Sequence, residues 1–346
     1  MNKIDNDSFF KSMHDYLKIY IPKQRMLSEN TVKSYKATLN QFLDYLVDVK
    51  KIPIIKITLD DLNRSNILDY LDWIQNTRNC SATTRNQRLM ALRSFAKYCA
   101  ISDIENVYIS LDINKIPLQN VPGKSVDFLS EDSMKTLLSI PNMKTRFGLR
   151  NGFFMFLMYD TAARCQEMLD IKISDLVINS ESSYVYLHGK GNKIRSVPIT
   201  EKTMEHLKIY LFHFHPKETR HPDDYLFYTV IKGSRGPMSP DTVAYFLRQY
   251  ALEANKINSN CPAHVHPHQF RHTRAIHLYR SGVPLSILSE YLGHEYESTT
   301  RIYAYASPEM KAAAISKTSN QMIIPELEEP RWKNDKEMVR KLYCLD

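Results

Sequence analysis

Apolar residues recur at alternating spacings of three and four through Val32, Tyr35, Leu39, Phe42 and Leu46, predicting an amphipathic helix with one buried stripe. Ser28 stands where a capping hydroxyl belongs. A second helical pattern runs through Ile67, Leu71 and Ile74, and a third through Leu89, Leu92, Ala96 and Cys99. No strand-like alternation interrupts them, so residues 8–101 are expected to form a helical bundle. The third helix also carries Arg85, Arg88, Arg93 and Lys97, a row that taken alone is most simply a solvated face.

From residue 102 to 127 the periodicity fades and Pro117, Pro122 and Gly123 appear, so this stretch is expected to be a linker. A new helix is predicted after Ser130, whose hydroxyl can cap it while Glu131 and Asp132 sit at the positive end of its dipole. The second domain, 128–318, is expected to continue as an apolar helix ending near Leu169, then a β-hairpin, then helices; 319–346 is left as a tail. Tyr184 to Leu187 is β-prone, Gly189-Lys190-Gly191-Asn192 supplies turn residues, and Ile194 to Ile199 resumes an extended pattern. Lys190 is thereby placed at a hairpin tip. The fold class expected is mainly α with a small antiparallel sheet.

At 346 residues the chain suits two domains rather than one core. Its 43% hydrophobic and 24% charged content excludes a disordered or low-complexity chain. The net charge of +8 suits a polyanionic partner without proving one. Five scattered cysteines with no C-x-x-C pair suggest a reduced, cytoplasmic setting. The longest apolar run, Phe153 to Tyr159, falls far short of a membrane span. Gly189-Lys190-Gly191 lacks the spacing and following helix of a nucleotide-binding loop.

In order along the second domain stand Arg164, Lys190, His268-x-x-Arg271, Gly293-His294 and Tyr303. They lie in Y-D-T-A-A-R-C-Q-E-M-L-D-I from Tyr159, H-G-K-G-N-K-I-R-S-V-P-I from His188, H-P-H-Q-F-R-H-T-R-A from His266, and Y-L-G-H-E-Y-E-S-T-T-R-I-Y from Tyr291. This ordered set resembles the signature of the tyrosine recombinase, or phage integrase, family, including the nine-residue step from His294 to Tyr303. The resemblance covers residues 28–318, because the N-terminal bundle looks like the family's helical, SAM-like core-binding domain. It departs from the family at Ala162, where many members carry glycine.

The chemistry of these residue types agrees. Attack on a phosphodiester builds charge on the non-bridging oxygens, and planar guanidinium forks suit them, so Arg164 and Arg271 are the candidates. Pro267 can open a helix that sets His268 and Arg271 three apart on one face. Gly293 can end a helix in a left-handed cap, and Ser298 is expected to start the short segment bearing Tyr303.

The resemblance further implies that Tyr303 attacks to give a 3′-phosphotyrosine, Lys190 protonates the leaving oxygen, His268 assists proton transfer from the tyrosine and His294 bonds the phosphate. Glu167 matches the family's acidic position and is expected to orient the site. No cofactor or metal is required, since the phosphate passes from one ester to another. Double-stranded DNA is the expected partner, gripped through Arg85, Arg88 and Lys97 of the N-terminal domain among others, by a homotetramer on paired sites. The segment 308–318 is expected to dock on a neighbouring protomer.

Rival readings are a metal-dependent hydrolase built on Cys261, His264, His266 and His268, a catalytically inactive DNA-binding module, and a type IB topoisomerase-like enzyme. No carboxylate-bearing second ligand cluster accompanies the first, the signature set is complete against the second, and the helical N-terminal domain argues against the third. Tyr305 is disfavoured as nucleophile by its spacing from His294. The N-terminal region is too short for a further arm-binding domain, and the tail suggests a mobile-element enzyme.

Overall fold

The three helical periodicities of the N-terminal region are realised as α-helices, and two further α-helices flank them among the described residues. The computed structural model describes residues 6–121, 126–179, 182–189, 191, 193–294, 297–305 and 335–345, and the chain divides into two units, Met1–Lys124 and Ser125–Asp346.

In the first unit α1 (Asn6–Asp15) runs into a π-helical turn, and α2 (Glu29–Asp44) starts at Ser28, whose Oγ accepts from the Thr31 amide at 3.4 Å. Asn63 and Ser81 cap α3 (Arg64–Asn76) and α4 (Ala82–Ser102) in the same way. The predicted stripes meet in one core: Leu39, Phe42, Leu46, Ile67, Leu71, Ile74, Leu89, Leu92, Ala96 and Cys99 are all buried. Each fully buried Leu or Ile stabilises the bundle by about 1.5–3 kcal/mol relative to exposure.

The expected linker is only partly one. Residues Val107–Asn114 form α5, which packs Ile109 and Ile113 into the core. Its C-terminal end is bound by Arg93, whose Nη2 donates to the carbonyls of Asn114 and Ile116. A cation at a helix C-terminus is favoured by the dipole, so Arg93 is structural rather than part of a solvated face.

In the second unit, α6 (Glu131–Ser139) is capped by Ser130, whose Oγ accepts from the Ser133 amide at 3.1 Å. Next, α7 (Arg146–Thr161) is buried on nearly every side. The apolar helix expected to reach Leu169 breaks at Ala162, and α8 (Cys165–Asp170) follows as a separate helix. Strands β1 (Leu176–Val177), β2 (Tyr184–His188) and β3 (Ile194–Pro198) form an antiparallel sheet in that order, with Val185 opposite Val197 and Leu187 opposite Arg195. The tip residues Lys190 and Asn192 lie outside the described residues.

After α9 (Glu201–Phe214) comes a second hairpin that the hydrophobic pattern did not predict, β4 (Tyr228–Ile231) and β5 (Ser234–Pro237). Lys232 and Gly233 both have positive φ, 50° and 82°, which matches the twist of a tight hairpin. Helices α10 (Pro240–Ile257), α11 (Pro267–Arg280) and α12 (Leu285–Leu292) complete the core, followed by a 3-10 turn at Glu297–Thr299 and α13 (Arg301–Tyr305). A last helix, α14 (Lys336–Leu342), lies within the expected tail; the segment 308–318 falls outside the described residues. No helix among the described residues is long and apolar enough to cross a membrane.

Candidate active site

Four helix ends build the site. The break after α7 is a left-handed turn at Ala162, φ 48° and ψ 27°, the conformation that glycine adopts without strain. It directs Arg164 to the N-terminus of α8, where the Arg164 amide donates to Glu167 Oε2 at 2.8 Å and its Nη1 to Glu167 Oε1 at 2.7 Å. Pro267 opens α11 behind His266, whose Nδ1 accepts from the Gln269 amide at 3.2 Å. His268 is therefore exposed on the first turn, and Arg271, one turn deeper, is 1% exposed. At the end of α12 Gly293, φ 63°, forms a Schellman turn: its own amide donates to Glu290 O at 2.9 Å and that of His294 to Ser289 O at 3.0 Å. The nucleophile-bearing segment differs from expectation, because Ser298 lies inside a 3-10 turn and does not cap α13.

Arg271 ties these ends together. Its Nη1 donates to Ala162 O at 2.9 Å and its Nη2 to Leu292 O at 2.6 Å, satisfying the C-terminal carbonyls of α7 and α12. Each Nη keeps a second hydrogen, so the fork still has donors for a ligand. Burial, then the charges of Arg164 and Arg195, push its pKa down to about 10.

Arg195 is a site residue that sequence reasoning missed. Its Nη1 and Nη2 grip Glu167 at 3.1 and 2.7 Å, and its Nε donates to Tyr291 O at 3.1 Å. The signal was present: Arg195 shares strand parity with Val197 and Ile199, so it occupies an inward position where an arginine is out of place without a partner. Glu167 is buried, which raises its pKa, but the bonds and charge of Arg195 and the bonds from Arg164 outweigh this and hold it at about 2. Three guanidiniums, Arg164, Arg195 and Arg271, thus face one carboxylate among the described residues. Arg164, Arg195, Gly293, His294 and Lys193 line a cavity of about 670 Å³, a positively charged recess suited to an anion.

Tyr303 lies 1% exposed between α11 and α12, against Ala162, Ala275, Ile276, Leu288 and Leu292. Its hydroxyl is 3.0 Å from Nδ1 of His272, a second residue the sequence reading left without a role in the reaction. His294 stacks on the other side, with ring centroids 6.5 Å apart and planes within 11°, and its Nδ1 lies 2.9 Å from Thr300 Oγ1. Burial raises the Tyr303 pKa while Arg271 and Arg164 lower it. Burial, then Arg271, Arg164, Arg195 and His272, push His294 down to about 4, so it is neutral at pH 7. Arg164, His268, Arg271, His294, Tyr303 and Glu167 are brought together; Lys190 lies outside the described residues.

The cations of α4 separate into different roles. Arg85 is 5% exposed with its Nη1 3.3 Å from Pro117 O, so it braces the chain after α5 instead of presenting a charge to solvent. Arg88 donates to Thr38 Oγ1 at 2.8 Å and is half-buried, and Lys97 is exposed. Of the histidine and cysteine cluster, Cys261 is buried 3.5 Å from Ser133 O, and His266 is spent on the α11 cap.

Residues 127–310 match the model of the phage integrase family, and residues 15–100 match that of the phage integrase N-terminal SAM-like domain. The chain is 30% identical over 290 residues to a tyrosine recombinase XerD of Rickettsia bellii, covering 82% of this chain and 90% of that protein. It is 29% identical over 298 residues to a putative integrase/recombinase of Sinorhizobium fredii, covering 86% and 87%. Among solved structures it is similar to XerH site-specific recombinase bound to its difH substrate, TM-score 0.63 at 20% identity over 91% of this chain and 90% of that one. It is also similar to the Tn1549 transposon integrase with circular intermediate DNA, TM-score 0.64 at 15% identity over 89% and 99%. A third similarity is to a lambda integrase tetramer on a Holliday junction, TM-score 0.60 at 15% identity over 85% and 76%.

Proposed function

The chain belongs to the phage integrase family and is a tyrosine recombinase, and from that premise we propose that Tyr303 is the residue through which it cleaves and rejoins DNA. The phenol oxygen attacks the phosphate, forming a 3′-phosphotyrosine and releasing a 5′ hydroxyl. Arg164, Arg271 and His294 hold the non-bridging oxygens, Lys190 protonates the leaving oxygen, and His268 assists proton transfer at the site mouth. Glu167 and Arg195 keep Arg164 aimed. Because one ester replaces another, the bond energy is retained and neither ATP nor a metal is called for.

The observation that carries this reading is the convergence of three guanidiniums and a neutral imidazole beside a buried phenol, whose pKa burial raises and Arg271 and Arg164 pull back down. Placed around a phosphodiester, they stabilise the charge that develops there and favour the phenolate.

In this reading duplex DNA is held mainly through phosphate contacts, to which Arg88 and Lys97 contribute, so affinity falls steeply with salt. Arg85 is left out because it is buried, 5% exposed. The assembly is a homotetramer on paired sites, joined through the segment 308–318, acting in the cytoplasm. The similarity to a tetrameric integrase on a Holliday junction supports it. The test is denaturant-resistant capture: wild-type protein expressed in cells yields protein–DNA adducts that map to defined sequences, and Tyr303→Phe yields none. Adducts in the variant, or capture scattered without any preferred sequence, would point to another nucleophile or to a topoisomerase.

A further inference from the structure

We propose that His272, one residue beyond the His268-x-x-Arg271 pair, accepts the phenol proton of Tyr303 during cleavage and returns it on rejoining; the proposal rests on Tyr303 being the nucleophile. His272 Nδ1 is 3.0 Å from the Tyr303 hydroxyl, with the two ring centroids 5.7 Å apart. His268 sits four residues earlier on the same face of α11, with its ring 5.0 Å from that of His272 and nearly perpendicular to it, at 85°. The exposed imidazole thus lies at the mouth of the site and the half-buried one behind it, in contact with the reacting atom.

The surroundings of His272 keep its imidazole neutral and able to accept a proton. His272 is faced by His268, Arg271 and His266 from α11 and its cap, by Asp127 from the segment before α6, and by Tyr303 and His294 from the other side. Burial, then His268, Arg271 and His266, push its pKa down to about 4, against the weaker pull of Asp127. It is neutral at pH 7, and in the tautomer with the ring proton on Nε2 the phenol donates and Nδ1 accepts, which is the tautomer the proposal uses. An arriving phosphate anion offsets the guanidiniums and raises the basicity of this imidazole when a base is needed.

In the forward step the phenol oxygen bonds to phosphorus as the bond from phosphorus to the 5′ oxygen breaks. The phenol proton passes to Nδ1, and the departing oxygen takes a proton from Lys190. In the reverse step an incoming 5′ hydroxyl gives its proton to Lys190 and attacks, the tyrosyl ester breaks, and Nδ1 returns its proton to the phenolate.

The experiment measures single-turnover cleavage by the full chain, from about pH 6 to pH 9, on a duplex carrying a sequence mapped by adduct capture. His272→Ala is expected to be about 100-fold slower at pH 7 and to gain roughly tenfold per pH unit as the phenol ionises unaided, with added imidazole restoring rate. His272→Gln, which can accept the phenol's hydrogen bond but not its proton, is expected to be equally slow while binding DNA and unfolding thermally like wild type. The proposal is overturned if both variants cleave at the wild-type rate or faster, or if both slow by one factor at every pH without responding to imidazole. Residual adduct in Tyr303→Phe is a separate result, and it removes the nucleophile assignment itself.

Discussion

Arg195 on β3 and Glu167 on α8 form a two-point ion pair, at 3.1 and 2.7 Å, and the same carboxylate holds both the amide and the guanidinium of Arg164. One buried acid therefore fixes the spacing between two of the three cations around the recess. Removing it leaves Arg195, 13% exposed, without its counter-ion, the situation in which breaking a buried pair costs about 3–5 kcal/mol. Glu167→Ala should lose stability of that order in urea unfolding. Glu167→Gln should lose less, since its amide oxygen still accepts. Both should cleave DNA about 100-fold more slowly through misplacement of Arg164. If Glu167→Ala unfolds like wild type, the carboxylate does not organise the site.

Gly293 should not tolerate alanine. Its φ of 63° costs a residue with a Cβ about 1 kcal/mol. The added methyl would also lie 3.0 Å from Arg195 Cδ and 3.2 Å from its Nη1, atoms that cannot swing aside without releasing Glu167. Overpacking of this kind adds about 1–3 kcal/mol. We expect Gly293→Ala to lower the thermal midpoint by several degrees and to slow cleavage by more than the stability loss explains. Adding Arg195→Lys, which shortens the contact, should recover part of the midpoint.

Much of this organisation was legible in residue patterns. Ser28, Ser130, Pro267 and Gly293 mark helix boundaries because each is chemically suited to one end of a helix, and the hairpin from Tyr184 to Pro198 combines alternation with glycine-rich turn chemistry. The failures have equally local causes. In α5 the apolar residues Val107, Ile109, Leu111 and Ile113 alternate with polar or exposed ones, so the stretch shows no helical period, and only Ile109 and Ile113 are buried. Ser234-Arg-Gly-Pro237 holds no β-branched residue and becomes a strand through its pairing with Tyr228–Ile231. His272 and Arg195 were passed over because a partner decides their roles, and partners distant in sequence leave no periodic trace. Ala162 in place of the family's glycine shows two terms in opposition. The left-handed backbone costs about 1 kcal/mol. The buried methyl, packed with Ile276 and Leu288, returns about 0.8 kcal/mol, so the departure is tolerated.

Acid should weaken the protein in two stages whose order follows from the direction of the shifts. His272 and His294 lie at about 4 in the folded chain against an ordinary 6.5, so between those values the unfolded chain binds more protons and stability falls as pH drops. Glu167, held at about 2 against an ordinary 4.5, contributes stability that is intact above the latter value and is lost as pH falls through the former. Urea midpoints should therefore decline first below about pH 6.5 and again below about pH 4.5, and His272→Gln should make only the first decline shallower, His294 still driving the rest of it. Duplex DNA bound at the recess places a phosphate anion beside both imidazoles, raises their pKa and makes protonation less costly to the folded state. The first decline should shrink in the presence of DNA, and histidine ring signals followed by NMR should titrate at higher pH in the complex. An unchanged first decline with DNA bound would mean that the phosphate does not reach His272 and His294.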